Sequence, residues 1–122
     1  MGAENRERGK TEMQKVYGWD IGDIGDDAAN HFTRLTVDHL FGEIWAADGL
    51  SQRERRLLLI GIVVGLGEHD VVQLQVETAK KLGELDDPEL RDIVRFVTHY
   101  AGWPRGAKLN NVIEALIAAG DA

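Results

Sequence analysis

Cysteine is absent from this chain, so it can form no disulfide, offers no thiolate nucleophile and binds no metal through sulfur. A long apolar segment is missing too: the longest run, Leu57 to Leu66, has ten residues including Gly61 and Gly65, well short of the ~20 needed to cross a bilayer. Positive charge is scarce, with 14 basic residues against 21 acidic ones and a net charge of −7. That balance opposes a phosphate backbone or an anionic membrane surface, and argues against nucleic-acid and membrane partners. Met1 to Glu12 is polar and carries both signs, so no secretory signal is expected and the location reads as cytoplasmic. A P-loop, a dinucleotide-binding glycine pattern, an H-E-x-x-H pair, a nucleophile elbow and an EF-hand loop are all lacking. Neither a metal nor a cofactor is therefore expected.

What remains is a chain of 122 residues, 43% hydrophobic, the size of one domain with one core. Residues 1–10 are charged and almost without apolar side chains, which predicts a flexible tail and a domain over 11–122. Met13, Val16 and Tyr17 fall at helical spacing before Gly18, Gly22 and Gly25 interrupt it. Asp26 or Asp27 can cap a second helix through Phe41. Ser51 and Glu54 have capping-box spacing before an apolar run on which no side is polar, predicting a buried central helix to about Leu66. Gly61 and Gly65 would let another backbone approach it. Val71, Val72, Leu74, Gln75, Thr78, Ala79 and Leu82 mark an inward stripe on a fourth helix. Asp87-Pro88-Glu89 opens a fifth, with Leu90, Ile93, Val94, Phe96 and Val97 inside. Pro104 opens a last one, carried by Leu109, Val112, Ile113, Leu116 and Ile117. No strand pattern competes, so the fold class is all-α, a bundle of about six helices.

Three stretches carry a resemblance: Asp38-His39-Leu40-Phe41-Gly42-Glu43-Ile44-Trp45, then Gly49-Leu50-Ser51 through Arg56 and the apolar helix, and finally His99-Tyr100-Ala101-Gly102-Trp103-Pro104. Together with Ala79 to Gly83, their order and spacing resemble the carboxymuconolactone decarboxylase family, whose redox relatives are the alkyl hydroperoxidase D proteins. The resemblance implies a compact all-α fold, assembly as a homotrimer or homohexamer, and pockets among helices near subunit contacts. In the redox branch a C-x-x-C pair works with a glutamate before it and a histidine after it. Those positions are here Arg56, then Glu68 and Val71, then Gln75, so peroxidase or disulfide-reductase chemistry is excluded for want of a thiolate.

The decarboxylase branch needs no cysteine, and its named reaction removes CO2 from 4-carboxymuconolactone in aromatic degradation. Losing CO2 pushes electron density into the conjugated lactone, so a site needs donors or cations at the developing oxyanion and an acid to reprotonate carbon. The substrate is a dianion, which suits an arginine fork. Arg56 can be that arginine, or can pair with Glu43 or another acid inside the fold. Gln75 stands where the decarboxylase branch commonly shows histidine, and an amide can donate a hydrogen bond but transfers no proton near neutral pH. His39 and His99 are the candidate proton carriers, since His31 and His69 read as surface residues. Glu43 can serve as an acid in the pocket or as a salt-bridge partner of Arg56 or Arg55. Trp45 and Trp103 can wall a pocket for a flat ring or anchor a core or subunit contact. Arg105, beside Pro104, can meet an anion or lie solvated. The function implied is cofactor-free decarboxylation of 4-carboxymuconolactone or a related small cyclic carboxylate or lactone. The alternative is a non-catalytic member that binds a small ligand or serves assembly, with Gln75 marking the lost relay.

Overall fold

The computed structural model describes residues 2–20, 22 and 30–120, and all of their regular structure is helical. The helices fall into two compact units, 1–52 and 53–122, taken separately below.

In the first unit, α1 is Gly2–Tyr17. The expected flexible tail over residues 1–10 is therefore corrected: from Gly2 onward these residues are the first half of a helix. They lack apolar periodicity because polar contacts to the next helix hold them. Arg6 pairs with Asp38 through both carboxylate oxygens, Arg8 Nε donates to the Gly42 carbonyl at 2.6 Å, and Asn5 Nδ2 donates to Glu43 at 2.9 Å. α2 begins as His31–Leu35, capped by the Asn30 side chain, and runs on into a π-helical stretch, Thr36–Trp45. Asp26 and Asp27, the expected caps, lie outside the described residues, as does Gly25, and the helix continues past Phe41. Val37, Phe41 and Trp45 recur every four residues, which on the wider π-helical turn keeps them nearly in line. With Met13 and Val16 of α1 they build a small core, flanked by a row of rings in which Tyr17 meets Trp19 and Phe41, and Phe41 stacks on Trp45.

In the second unit, α3 is Gln52–Leu66, α4 His69–Lys81, α5 Asp87–Ala101 and α6 Trp103–Gly120. One core joins all four, including Ile60, Val64, Val76, Leu90, Leu109, Ile113 and Ile117. The expectation that α3 is buried all round is not met. Arg56, Ile60, Val63 and Val64 face inward, while Leu58, Ile62 and Leu66 are 56%, 57% and 67% exposed. Among the described residues outside the helix's own backbone, no atom lies within 4 Å of a side chain built at Gly61 or Gly65, so none of them makes the close backbone approach expected there. Val71 and Leu82 of α4 and Phe96 of α5 are likewise exposed where the sequence placed them inside. An apolar helix pattern reveals how much surface can be buried, but not whether the same chain supplies the cover.

The start of α5 moves by one residue. Asp86, rather than Asp87, is the cap: its side chain accepts from the Glu89 N–H at 2.9 Å while Glu89 Oε1 accepts from the Asp86 N–H at 3.0 Å. Reciprocal capping of this kind closes two of the donors a helix start leaves open. It also holds the Glu89 carboxyl below its usual value, helped by Arg53. α5 and α6 pack tightly at Gly106, where a side chain would begin 2.0 Å from Thr98 Oγ1.

Candidate functional site

Arg56 lies one turn into α3 and has no exposed surface. Its guanidinium is engaged by the protein itself. Nε donates to Glu84 Oε1 at 2.7 Å, Nη2 to Glu84 Oε2 at 3.5 Å, and Nη1 to Gln75 Oε1 at 2.5 Å. Gln75 is 2% exposed on α4, inside as its place on the inward stripe suggested, and meets α3 at Arg56. Glu84 was not foreseen. It sits in the turn after α4, which Gly83 makes possible by adopting φ +73°, and its N–H returns to the Ala79 carbonyl at 2.9 Å. Arg53 ties down the same turn by donating to the Glu84 carbonyl at 3.0 Å. The acid that Arg56 meets is thus Glu84, one of the other acids left open by the sequence beside Glu43 and a substrate carboxylate.

His39, Glu43 and Trp45 belong to the first unit. His39 and Glu43 are exposed one turn apart on α2, with His39 Nδ1 3.6 Å from Glu43 Oε2. Trp45 is half-buried against Phe41 and packs on that unit's core.

His99 and Trp103 stay together in the second unit. His99 Nδ1 donates to the Arg95 carbonyl at 2.6 Å, which in the neutral ring leaves Nε2 as the acceptor, and the ring meets Trp103 edge-on at 6.3 Å. Both line a cavity of about 310 Å³ between α5 and α6, together with Arg95, Thr98 and Asn110. Arg56 and Gln75 do not line it.

Arg105 lines a different cavity, of about 320 Å³, between α4 and α6. Its wall is apolar, made by Val64, Val72, Leu109 and Val112, and its polar groups are His69, Arg105, Lys108 and Asn111. Local structure explains the grouping. Gly67 closes α3 with φ +74°, its N–H bonded to the Val64 carbonyl and that of Glu68 to the Val63 carbonyl, and this turn presents His69 at the start of α4. Arg105 and Lys108 are three residues apart on one face of α6. Lys108 Nζ donates to His69 Nε2 at 3.1 Å. Neither Arg105 nor Lys108 meets a carboxylate among the described residues, so two cations rim a greasy hollow without internal neutralisation. Sequence reading had named Arg105, dismissed His69 as a surface residue, and passed over Lys108. The i, i+3 spacing of Arg105 and Lys108 was the available signal. Among the described residues no cluster of three or more His, Asp or Glu side chains is placed to hold a metal ion, and no helix is long and apolar enough to cross a membrane.

Comparison with known proteins adds a coarse identity. Over 84 residues, 69% of this chain, it is 27% identical to 4-carboxymuconolactone decarboxylase of Acinetobacter baylyi, and the match spans 59% of that protein's length. Over 86 residues, 70% of this chain, it is 30% identical to an uncharacterised protein of Methanocaldococcus jannaschii, covering 77% of it. No solved structure matches significantly. Residues 30–115 match the carboxymuconolactone decarboxylase family as a whole. That span runs from the cap of α2 into the last turns of α6 and takes in both the Arg56 network and the α4–α6 cavity, and on it the chain belongs to the carboxymuconolactone decarboxylase family.

Proposed function

We propose that this protein is a cofactor-free carboxy-lyase acting on 4-carboxymuconolactone or a related small cyclic carboxylate or lactone, held in the α4–α6 cavity. The observation that carries the reading is the pair of cations, Arg105 and Lys108, at an apolar hollow of about 320 Å³. Its size is at the lower end of the range for small-molecule sites, which suits a single ring. Arg105 can take a carboxylate as a fork and Lys108 can stabilise the oxyanion that develops as the C–CO2 bond breaks and its electron pair enters the lactone. His69, which accepts from the Lys108 ammonium, is set to pass a proton from it to carbon. Arg56 and Gln75 take a positioning role in this reading, holding the α3–α4 pair and the Glu84 turn. His99 and Trp103 lie beside the other cavity, and His39 and Glu43 belong to the first unit, so none of them carries a step in this reading.

One observation favours a second reading, a family member that binds without catalysis: Gln75, at the position where a histidine is expected, is buried and bonded to Arg56. Incubation with 4-carboxymuconolactone, following CO2 release and loss of substrate absorbance, separates the two. Turnover should be present in the natural protein and fall by about 100-fold or more in Lys108→Ala and Arg105→Ala. Binding without turnover would favour the second reading, and neither binding nor turnover would overturn the enzyme.

Assembly as a homotrimer or homohexamer belongs to the same proposal. Leu58, Ile62 and Leu66 give α3 an uncovered apolar ridge of a kind that subunit contacts bury. Sedimentation should show an oligomer at micromolar concentration, and a monomer there would refute it.

A further inference from the structure

The α4–α6 cavity does not end at its cationic mouth. Asn111 and Val112 also line a second hollow of about 430 Å³, formed with Gln73 and Glu77 of α4 and Ala115, Leu116 and Ala119 of α6. The two helices run side by side in the same direction: Lys108 meets His69 near the start of α4, and the Lys80 side chain lies about 3.2 Å from where a Gly120 side chain would begin. Residues 108, 111, 112, 115, 116 and 119 recur at three and four along α6 and so form one stripe. At 1.5 Å per residue this stripe is about 16 Å long from Lys108 to Ala119. Charge changes along it. The mouth carries Arg105, Lys108 and His69. The lining of the far hollow holds no cation: beside apolar groups it has the small side chains of Ala115 and Ala119 and the carboxylate of Glu77, which accepts from Gln73 Nε2 at 2.9 Å, while Lys80, beyond Ala119, is paired with Asp87.

Resting on the anion site just proposed, we infer that the ligand is one of the related carboxylates rather than 4-carboxymuconolactone itself, with an anionic head at Arg105 and Lys108 and an uncharged tail along the groove towards Ala119. A compact ring fills only the mouth. A tail with a second anion at its end would be brought to Glu77 and repelled. An alkyl or aryl chain instead covers Val112, Leu116 and the two alanines, and Ala115 leaves room for it.

The experiment is calorimetric titration with straight-chain monocarboxylates from butanoate to dodecanoate, the alcohols of the same lengths, and the corresponding α,ω-dicarboxylates. Affinity for the monoacids should rise roughly two- to fourfold per methylene until the groove is filled. Alcohols should bind more weakly than acids of equal length, and dicarboxylates that reach Glu77 should lose affinity and recover it in Glu77→Gln. Ala115→Phe should flatten the chain-length gain, while Lys108→Ala should weaken every acid alike. Short acids that bind through Lys108 with no gain from length would overturn the tail and leave the anion site standing, as when a second copy of the chain covers the groove. Alcohols that bind as well as acids would show a greasy surface alone and overturn the head-and-tail assignment. Failure of every anion to bind would remove the anion site and this inference with it.

Discussion

Arg56→Ala is expected to lower stability by about 3–5 kcal/mol, the cost of breaking a buried ion pair by removing one partner. Chemical denaturation followed by helical circular dichroism measures it. The magnitude follows from what is left behind. Glu84, one-tenth exposed, would keep a carboxylate with its strongest donor gone, and the Gln75 amide oxygen would lose its bond in a place water reaches poorly. A shortened side chain would also leave a void at the base of α3. Replacing all three polar residues together, Arg56→Met with Gln75→Leu and Glu84→Leu, should cost far less than the single change, because no buried charge is stranded. If Arg56→Ala alone proved neutral, the network would be too open to solvent to act as a clamp.

Gly106→Val is the second large expected loss, about 3 kcal/mol by the same measurement. A side chain at position 106 would start 2.0 Å from Thr98 Oγ1 and 2.7 Å from both Thr98 Cβ and Cγ2. Rotating Thr98 gives no relief, since Cβ itself is in the way and the hydroxyl is committed to the Val94 carbonyl at 2.6 Å. α5 and α6 must separate or slide. Thr98→Ser should therefore fail to rescue Gly106→Val, whereas Thr98→Gly should restore part of the loss, less about 1 kcal/mol for glycine inside a helix.

The elements most legible in the sequence were those with chemical punctuation. Asp86 to Glu89 announced α5 to within one residue, Gly67 and Gly83 stopped α3 and α4, and the four-residue spacing of Leu109, Ile113 and Ile117 placed the buried face of α6. α1 was half-missed because Arg6, Arg8 and Asn5 are held by partners more than thirty positions away, which no local pattern reveals. The π-helical stretch of α2 was invisible to a reading tuned to 3.6 residues per turn. Of the candidate site, the approach of Arg56 to Gln75 was readable from the spacing of two facing helices. Glu84 was not, since it arrives from a turn whose path depends on tertiary packing. Arg105 was named on local grounds, but its partners His69 and Lys108 become meaningful only when α4 and α6 lie together.

The Arg56–Gln75–Glu84 network also limits which charges the contact between α3 and α4 accepts. Arg56 and Gln75 join α3 to α4 through a hydrogen bond whose donor is a cation. Arg56→Glu alone would press two carboxylates together in a nearly dry space, because Glu84 is already there. A carboxylate at position 56 is thus destabilising unless Glu84 is replaced as well. The buried turn thereby sets the sign of charge that the neighbouring helix can carry at that point.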